Sequence, residues 1–433
     1  MLKMGAAPSG VYRVRDSEVL PSVDPWLLCP GLLLLALGLL MVTSASMPQA
    51  ADKLGQPLYF LLHQGAYIGL GLLLAAVVFR VPLRVWQRNG LGLLMLAFGL
   101  LLAVLIPGIG REVNGSMRWV NVGVMNVQVS EPARLFVIIY VAGYLHRHGG
   151  ALQASAMAMI RPMLVLGVLA ILLLLEPDFG TTVVLMATVL GMLFLAGVNL
   201  WRFVALQGIT VVAMAVLLYS SPYRRARLIG FLDPWSDPFN SGFQLTQSLI
   251  AIGRGEIVGV GLGASIQKLF YLPEAYTDFI FAILAEELGL VGVLVVIGLY
   301  ATIVWRAFTV AARAERLDLR FAAHLTHGIS LWFAIQALFN MGVNMGVLPT
   351  KGLTLPLVSY GGSSVVVMCV ALALLLRIDV ETRAADPRLQ REHSPSSVAK
   401  GEGVGKLNPP AVANAERVGN PAPPAVLAKG GSR

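Results

Sequence analysis

Charge is what this chain has least of. Asp, Glu, Lys and Arg make up 13% of its 433 residues, about half the share of an ordinary soluble domain. That is too little to coat a water-soluble globule, and with 57% hydrophobic residues the solvent for most of the chain is lipid. Cysteine is nearly absent. Cys29 and Cys369 both lie inside apolar runs, which excludes a disulfide-stapled outer domain. The six histidines show no metalloprotease spacing, and no basic stretch interleaves with aromatics, so nucleic acid is not expected as a partner despite a net charge of +9. Alternating strands of transmembrane-barrel type are missing too.

What is present is a series of long uncharged runs. A hydrocarbon core about 30 Å thick needs roughly 20 apolar residues per helix. On that basis spans are expected at 26–46, 58–79, 91–108, 133–146, 162–176, 181–200, 202–220, 278–305, 322–349 and 355–377. The fold class is therefore all-α: a polytopic membrane protein of about ten transmembrane helices, with a large extracytoplasmic loop, 221–277, between spans 7 and 8. The N-terminal segment and the even connections hold most of the Arg and Lys, which places both termini in the cytoplasm. Residues 1–25 read as a cytoplasmic segment, too long and acidic for a secretory n-region. Residues 26–377 read as the membrane domain. Residues 378–433, rich in Pro, Ala, Gly and Ser, read as a disordered cytoplasmic tail.

Polar, Gly- and Pro-rich clusters sit on the outward connections: 111–123, 176–182, most of 221–277, and 348–356. No nucleoside triphosphate is available there, so a substrate handled on that face has to arrive already activated. Two motifs are decoys. Gly259, Gly261 and Ala264 fit a dinucleotide pattern without its βαβ setting, and Ser265 with Lys268 fits S-x-x-K without the companion elements of penicillin-binding transpeptidases.

Asp278 stands where span 8 enters the membrane. Partial desolvation makes such a carboxylate a better base, while the same position suits a helix N-cap; spacing alone leaves both open. Glu286 and Glu287 lie deeper, where an ionised side chain costs about 2.5 to 3.5 kcal/mol. They are expected as a buried polar pair, one of them lining a cavity. Arg118, Lys268, Arg254 and Lys351 are outward cations suited to phosphate oxygens or lipid headgroups. The metal is unknown; a divalent cation, Mg or Mn, is the one cofactor the carboxylate leaves open.

The stretches GSMRWVNVG and QVSEP (115–132), EPDFGTT (176–182), LPEAYTDFIFAILAEELG (272–289) and NMGVLPTKGLTLPLVSYGGSS (344–364) resemble the SEDS family of shape, elongation, division and sporulation proteins. The likeness runs over nearly all of 26–377 and leans toward the division branch. It implies a peptidoglycan glycosyltransferase that polymerises lipid II, an undecaprenyl-diphosphate-linked disaccharide-peptide. It also implies a class B penicillin-binding protein transpeptidase and other division proteins as partners, surrounding membrane lipids, and a place at the septum in the bacterial cytoplasmic membrane. The family's catalytic aspartate falls on Asp278, and its tryptophan and lysine motifs fall on Trp119 and Lys351. Arg118, Lys268, Glu274 and Ser359 complete the expected substrate-binding set. Tyr276, where histidine is common, and Val129, where proline is common, depart from the pattern. The alternatives are a lipid II flippase, using the buried glutamates, and a noncatalytic scaffold.

Overall fold

The computed structural model describes residues 23–113, 116–123, 125–220, 230–240, 242–349 and 352–387. Most of the expected N-terminal segment and tail lie outside the described residues. Eleven helices run through the described chain. They are α1 (Pro25–Leu54), α2 (Tyr59–Arg80), α3 (Leu83–Val104), α4 (Ser130–Ala154), α5 (Ala156–Leu175), α6 (Phe179–Leu195), α7 (Leu200–Tyr219), α8 (Phe243–Gly255), α9 (Ile280–Arg316), α10 (Arg320–Asn344) and α11 (Gly362–Ala384). All but α8 fall on the ten expected spans. Their starts follow local signals: Asp24 caps α1 ahead of Pro25, Ser155 caps α5, Asp178 caps α6 and Asn199 caps α7.

Six helices are long and apolar enough, by length and composition, to cross a membrane. Neither α4 nor α10 is among them, and both carry buried polar side chains. Helix α2 packs along α11, α3 along α4, α1 along α9, and α10 against α9, α4 and α6.

Four features differ from the sequence reading. The 105–129 connection holds an antiparallel meander of β1 (Gly110–Val113), β2 (Ser116–Val122) and β3 (Met125–Gln128), with strands too short to show a period. Helix α3 starts at Leu83 rather than 91, because the Glu381 carboxylate accepts the Leu83 N–H at 3.0 Å and caps it from another helix. Helix α11 starts at Gly362 rather than 355, since the Ser359 hydroxyl accepts the Leu355 N–H at 2.7 Å and closes a turn there. The same helix runs past 377 to Ala384.

The fourth is a break. Gly289 takes φ 64°, ψ −164° inside α9. The Leu290 and Val291 amides donate to Glu256 and Ile257 at 3.0 and 3.1 Å, while Val260 and Gly261 donate to the Glu286 and Glu287 carbonyls at 3.0 and 3.1 Å. Irregular backbone is tolerated at such depth when protein satisfies it. Contact is so close that a Cβ on Gly259 would lie 2.2 Å from the Glu287 carbonyl oxygen, and one on Gly289 would lie 2.3 Å from the Gly259 nitrogen.

At the opposite end, the arginines read as positive-inside anchors are partly tied to acids. Asp24 takes Arg306 and Arg383, and Asp379 takes Arg313 and Arg383. These pairs join α1, α9 and α11.

Candidate active site

Asp278 lies in the turn entering α9, half-buried. The cap position of α9 is Phe279 rather than Asp278, without a side-chain bond, and the Ala282 N–H is shared between the Phe279 carbonyl at 3.0 Å and Asn344 Oδ1 of α10 at 3.1 Å. Two amides then hold the Asp278 main chain. Asn340 Nδ2 donates to its carbonyl at 2.8 Å and Asn344 Nδ2 at 3.0 Å, and Asn340 also donates to the Leu353 carbonyl at 2.6 Å. The carboxylate lies beside Gly352, where an added Cβ would come within 3.0 Å of Oδ2.

Above these asparagines on α10, Gln336 takes Arg134 and Trp332 on its Oε1, at 2.6 and 2.7 Å, and donates to the Thr354 carbonyl at 2.9 Å. Arg134 is buried, pairs with Glu131 and stacks on the Trp332 ring, so its charge is paired within the protein. Trp332, Gln336, Asn340 and Asn344 recur every fourth residue, one stripe on one helix face.

A second polar group gathers on Asp178. Its carboxylate accepts the Thr181 amide and hydroxyl, the Ser130 hydroxyl and the Gln128 amide, and Arg118 of β2 stands 3.9 Å away. Neighbouring Glu176, just past α5, is fully buried, and among the described residues neither of its carboxylate oxygens has a hydrogen-bond partner. Burial above all, with the adjacent Asp178 charge, pushes its carboxyl up to about 8 against the pull of Arg118. An acid raised in the folded state makes the unfolded state the weaker proton binder. Its stabilising contribution is full below the ordinary carboxylate range and is lost as pH rises through about 8. Glu176→Gln is therefore expected to flatten the fall of melting temperature between about pH 5 and 8. Parallel slopes for the two proteins in detergent thermal scans would contradict it.

The structure sorts the other expected site residues. Lys351 lies outside the described residues, directly before Gly352 in sequence. Glu274 is exposed and accepts the Thr277 hydroxyl at 2.8 Å. Trp119 pairs across the sheet with Arg111 and Gln128, and alternation along β2 turns it away from the side Arg118 presents to Asp178.

Two residues leave the substrate-facing set. Lys268 is 5% exposed and donates to Glu287 and Ser44 at 2.8 and 2.9 Å, so it neutralises a buried acid. Ser359 is buried with its hydroxyl committed to the turn at Leu355. The glutamate reading also changes. Glu286 pairs with Arg254 at 2.6 Å and accepts Ser265, and Glu287 pairs with Lys268, so both buried acids are held in ion pairs with outer-connection cations. Among the described residues no group of three or more His, Cys, Asp or Glu is placed to hold a metal.

Sequence reasoning missed Asn340, Asn344, Gln336, Arg134 and Asp178. The signal was available for α10, since polar residues at a spacing of four in an otherwise apolar span mark a buried functional face.

A family described as cell cycle proteins, that of FtsW, RodA and SpoVE, matches residues 25–384. The chain belongs to this SEDS family. Among its curated relatives, the probable peptidoglycan glycosyltransferase FtsW of Thioalkalivibrio sulfidiphilus is 56% identical over 356 residues, 82% of this chain and 89% of that protein. That of Legionella pneumophila is 53% identical over 360 residues, 83% and 91% of the two chains. Among solved structures, a SEDS-like chain from work on how a peptidoglycan synthase complex coordinates polymerization and crosslinking has a TM-score of 0.66 at 30% identity, covering 84% of this chain and 99% of that one. The rod shape determining protein RodA of Thermus thermophilus has a TM-score of 0.60 at 26% identity, covering 83% and 97%. The fold is thus shared over most of the chain.

Proposed function

We propose that this chain is a peptidoglycan glycosyltransferase that polymerises lipid II on the outer face of the bacterial cytoplasmic membrane, with Asp278 as general base. One observation supports the residue assignment: the Asp278 carboxylate lies beside Gly352, while Asn340 and Asn344 hold the Asp278 main chain. The acceptor's sugar hydroxyl gives its proton to Asp278 as its oxygen bonds to the donor's anomeric carbon. The bond from that carbon to undecaprenyl diphosphate breaks, and the diphosphate leaves with its electron pair. Arg118 and Lys351 are the cations assigned to that developing charge, as oriented groups in a water-poor site do most of such work. Trp119 and Glu274 border the sugar path. In this reading both termini are cytoplasmic, and the partner is a class B transpeptidase at the septum.

Purified full-length chain in detergent, given fluorescent lipid II, is expected to produce a ladder of glycan strands. Protein that moves lipid II between leaflets of proteoliposomes yet forms no polymer, with or without a transpeptidase partner, would overturn the reading in favour of transport.

A further inference from the structure

We infer that Asn340 and Asn344 are positioning residues that set the distance between the Asp278 carboxylate and the 352–355 segment, an inference that rests on Asp278 acting as the base. A carbonyl can only accept, so each amide has to present its nitrogen to the Asp278 oxygen. Asn340 divides its two hydrogens between Asp278 and Leu353, at 2.8 and 2.6 Å. One planar group therefore fixes the spacing of two backbone segments that are far apart in sequence. Asn344 adds the second bond to Asp278, caps α9 through Ala282, donates to the Asn340 carbonyl at 2.8 Å, and through its own carbonyl receives Ser248 of α8 at 2.8 Å. The asparagine pair is thus the joint where α8, α9, α10 and the Leu353 segment meet. Both side chains are buried, so solvent does not replace a lost bond.

Neither residue is placed to touch the reacting atoms through its own hydrogen bonds, which are all made to protein. Their effect passes through Asp278. Misplacing a base by about 1 Å costs on the order of 10² in rate, and the binding of substrate by other groups is left in place.

The test is steady-state polymerisation of lipid II by full-length Asn340→Leu, which keeps the volume and removes the donors. Turnover is expected to fall about 30- to 100-fold with KM within about threefold. In an Asp278→Asn background the same change should lower the residual rate no further, since residues acting as a unit are not additive. A folded Asn340→Leu with turnover within about threefold of wild type, beside an inactive Asp278→Asn, overturns the positioning inference alone. An active Asp278→Asn overturns the catalytic reading, whatever the asparagine variants do. Should Asn340→Leu not accumulate, Asn344→Leu carries the same kinetic test, because it leaves the Leu353 bond in place. Failure of both to fold would assign the pair a purely structural role and overturn the inference.

Discussion

Asp278→Asn is expected to lower glycan polymerisation by about 10² to 10⁴, while the protein inserts, extracts and melts as the wild type does. The separation of effects follows from the clamp. Asn340 and Asn344 hold this position through the Asp278 carbonyl, and the cap position of α9 is Phe279 rather than Asp278. Asparagine is nearly isosteric and leaves those bonds intact, so stability has little to lose. Its amide cannot accept the acceptor's proton, so the chemical step has everything to lose. The measurement is the rate of glycan formation from labelled lipid II at matched protein, with thermal stability recorded on the same preparation. Activity within about threefold of wild type would leave Asp278 without a catalytic role. No deeper acid on α9 is then ready to inherit it, because Glu286 and Glu287 are both neutralised by cations.

Lys268→Met is expected to be the most damaging change outside the site. Its ammonium is buried against Glu287 and Ser44, and stranding one member of a buried pair typically costs about 3 to 5 kcal/mol. Folded yield and melting temperature should fall sharply. Replacing both members by apolar side chains removes the stranded charge, so Lys268→Met/Glu287→Met should regain the folded protein, and with it polymerase activity. A double variant that folds well yet makes no glycan would return Lys268 to the diphosphate-binding set from which its burial removes it.

The spans were legible because lipid imposes a length and a composition that few other environments tolerate, and Asp24, Ser155, Asp178 and Asn199 mark helix starts in the expected way. Asp278 was legible as a carboxylate at a membrane boundary. What could not be read was pairing. Lys268 and Arg254 look alike in sequence to any outward cation; only the fold shows that each meets a glutamate on α9. The site's support was also hidden, since Asn340 and Asn344 sit in a run that hydropathy treats as one more span. Their partners, Asp278 and Leu353, lie on separate connections that the sequence gives no reason to juxtapose.

The interruption at Gly289 bears on how the protein is made. Backbone groups left unpaired within a bilayer cost several kcal/mol each, and here the Leu290 and Val291 amides find their acceptors on Glu256 and Ile257. Those acceptors precede α9 in the chain, so they are synthesised before the helix that needs them. Biogenesis is therefore directional: the segment that supplies the acceptors is already made when α9 emerges, and it docks into a helix that could not adopt its kink alone. A circular permutant that delivers 242–277 after α9 would present that helix to lipid with its receptor still unmade.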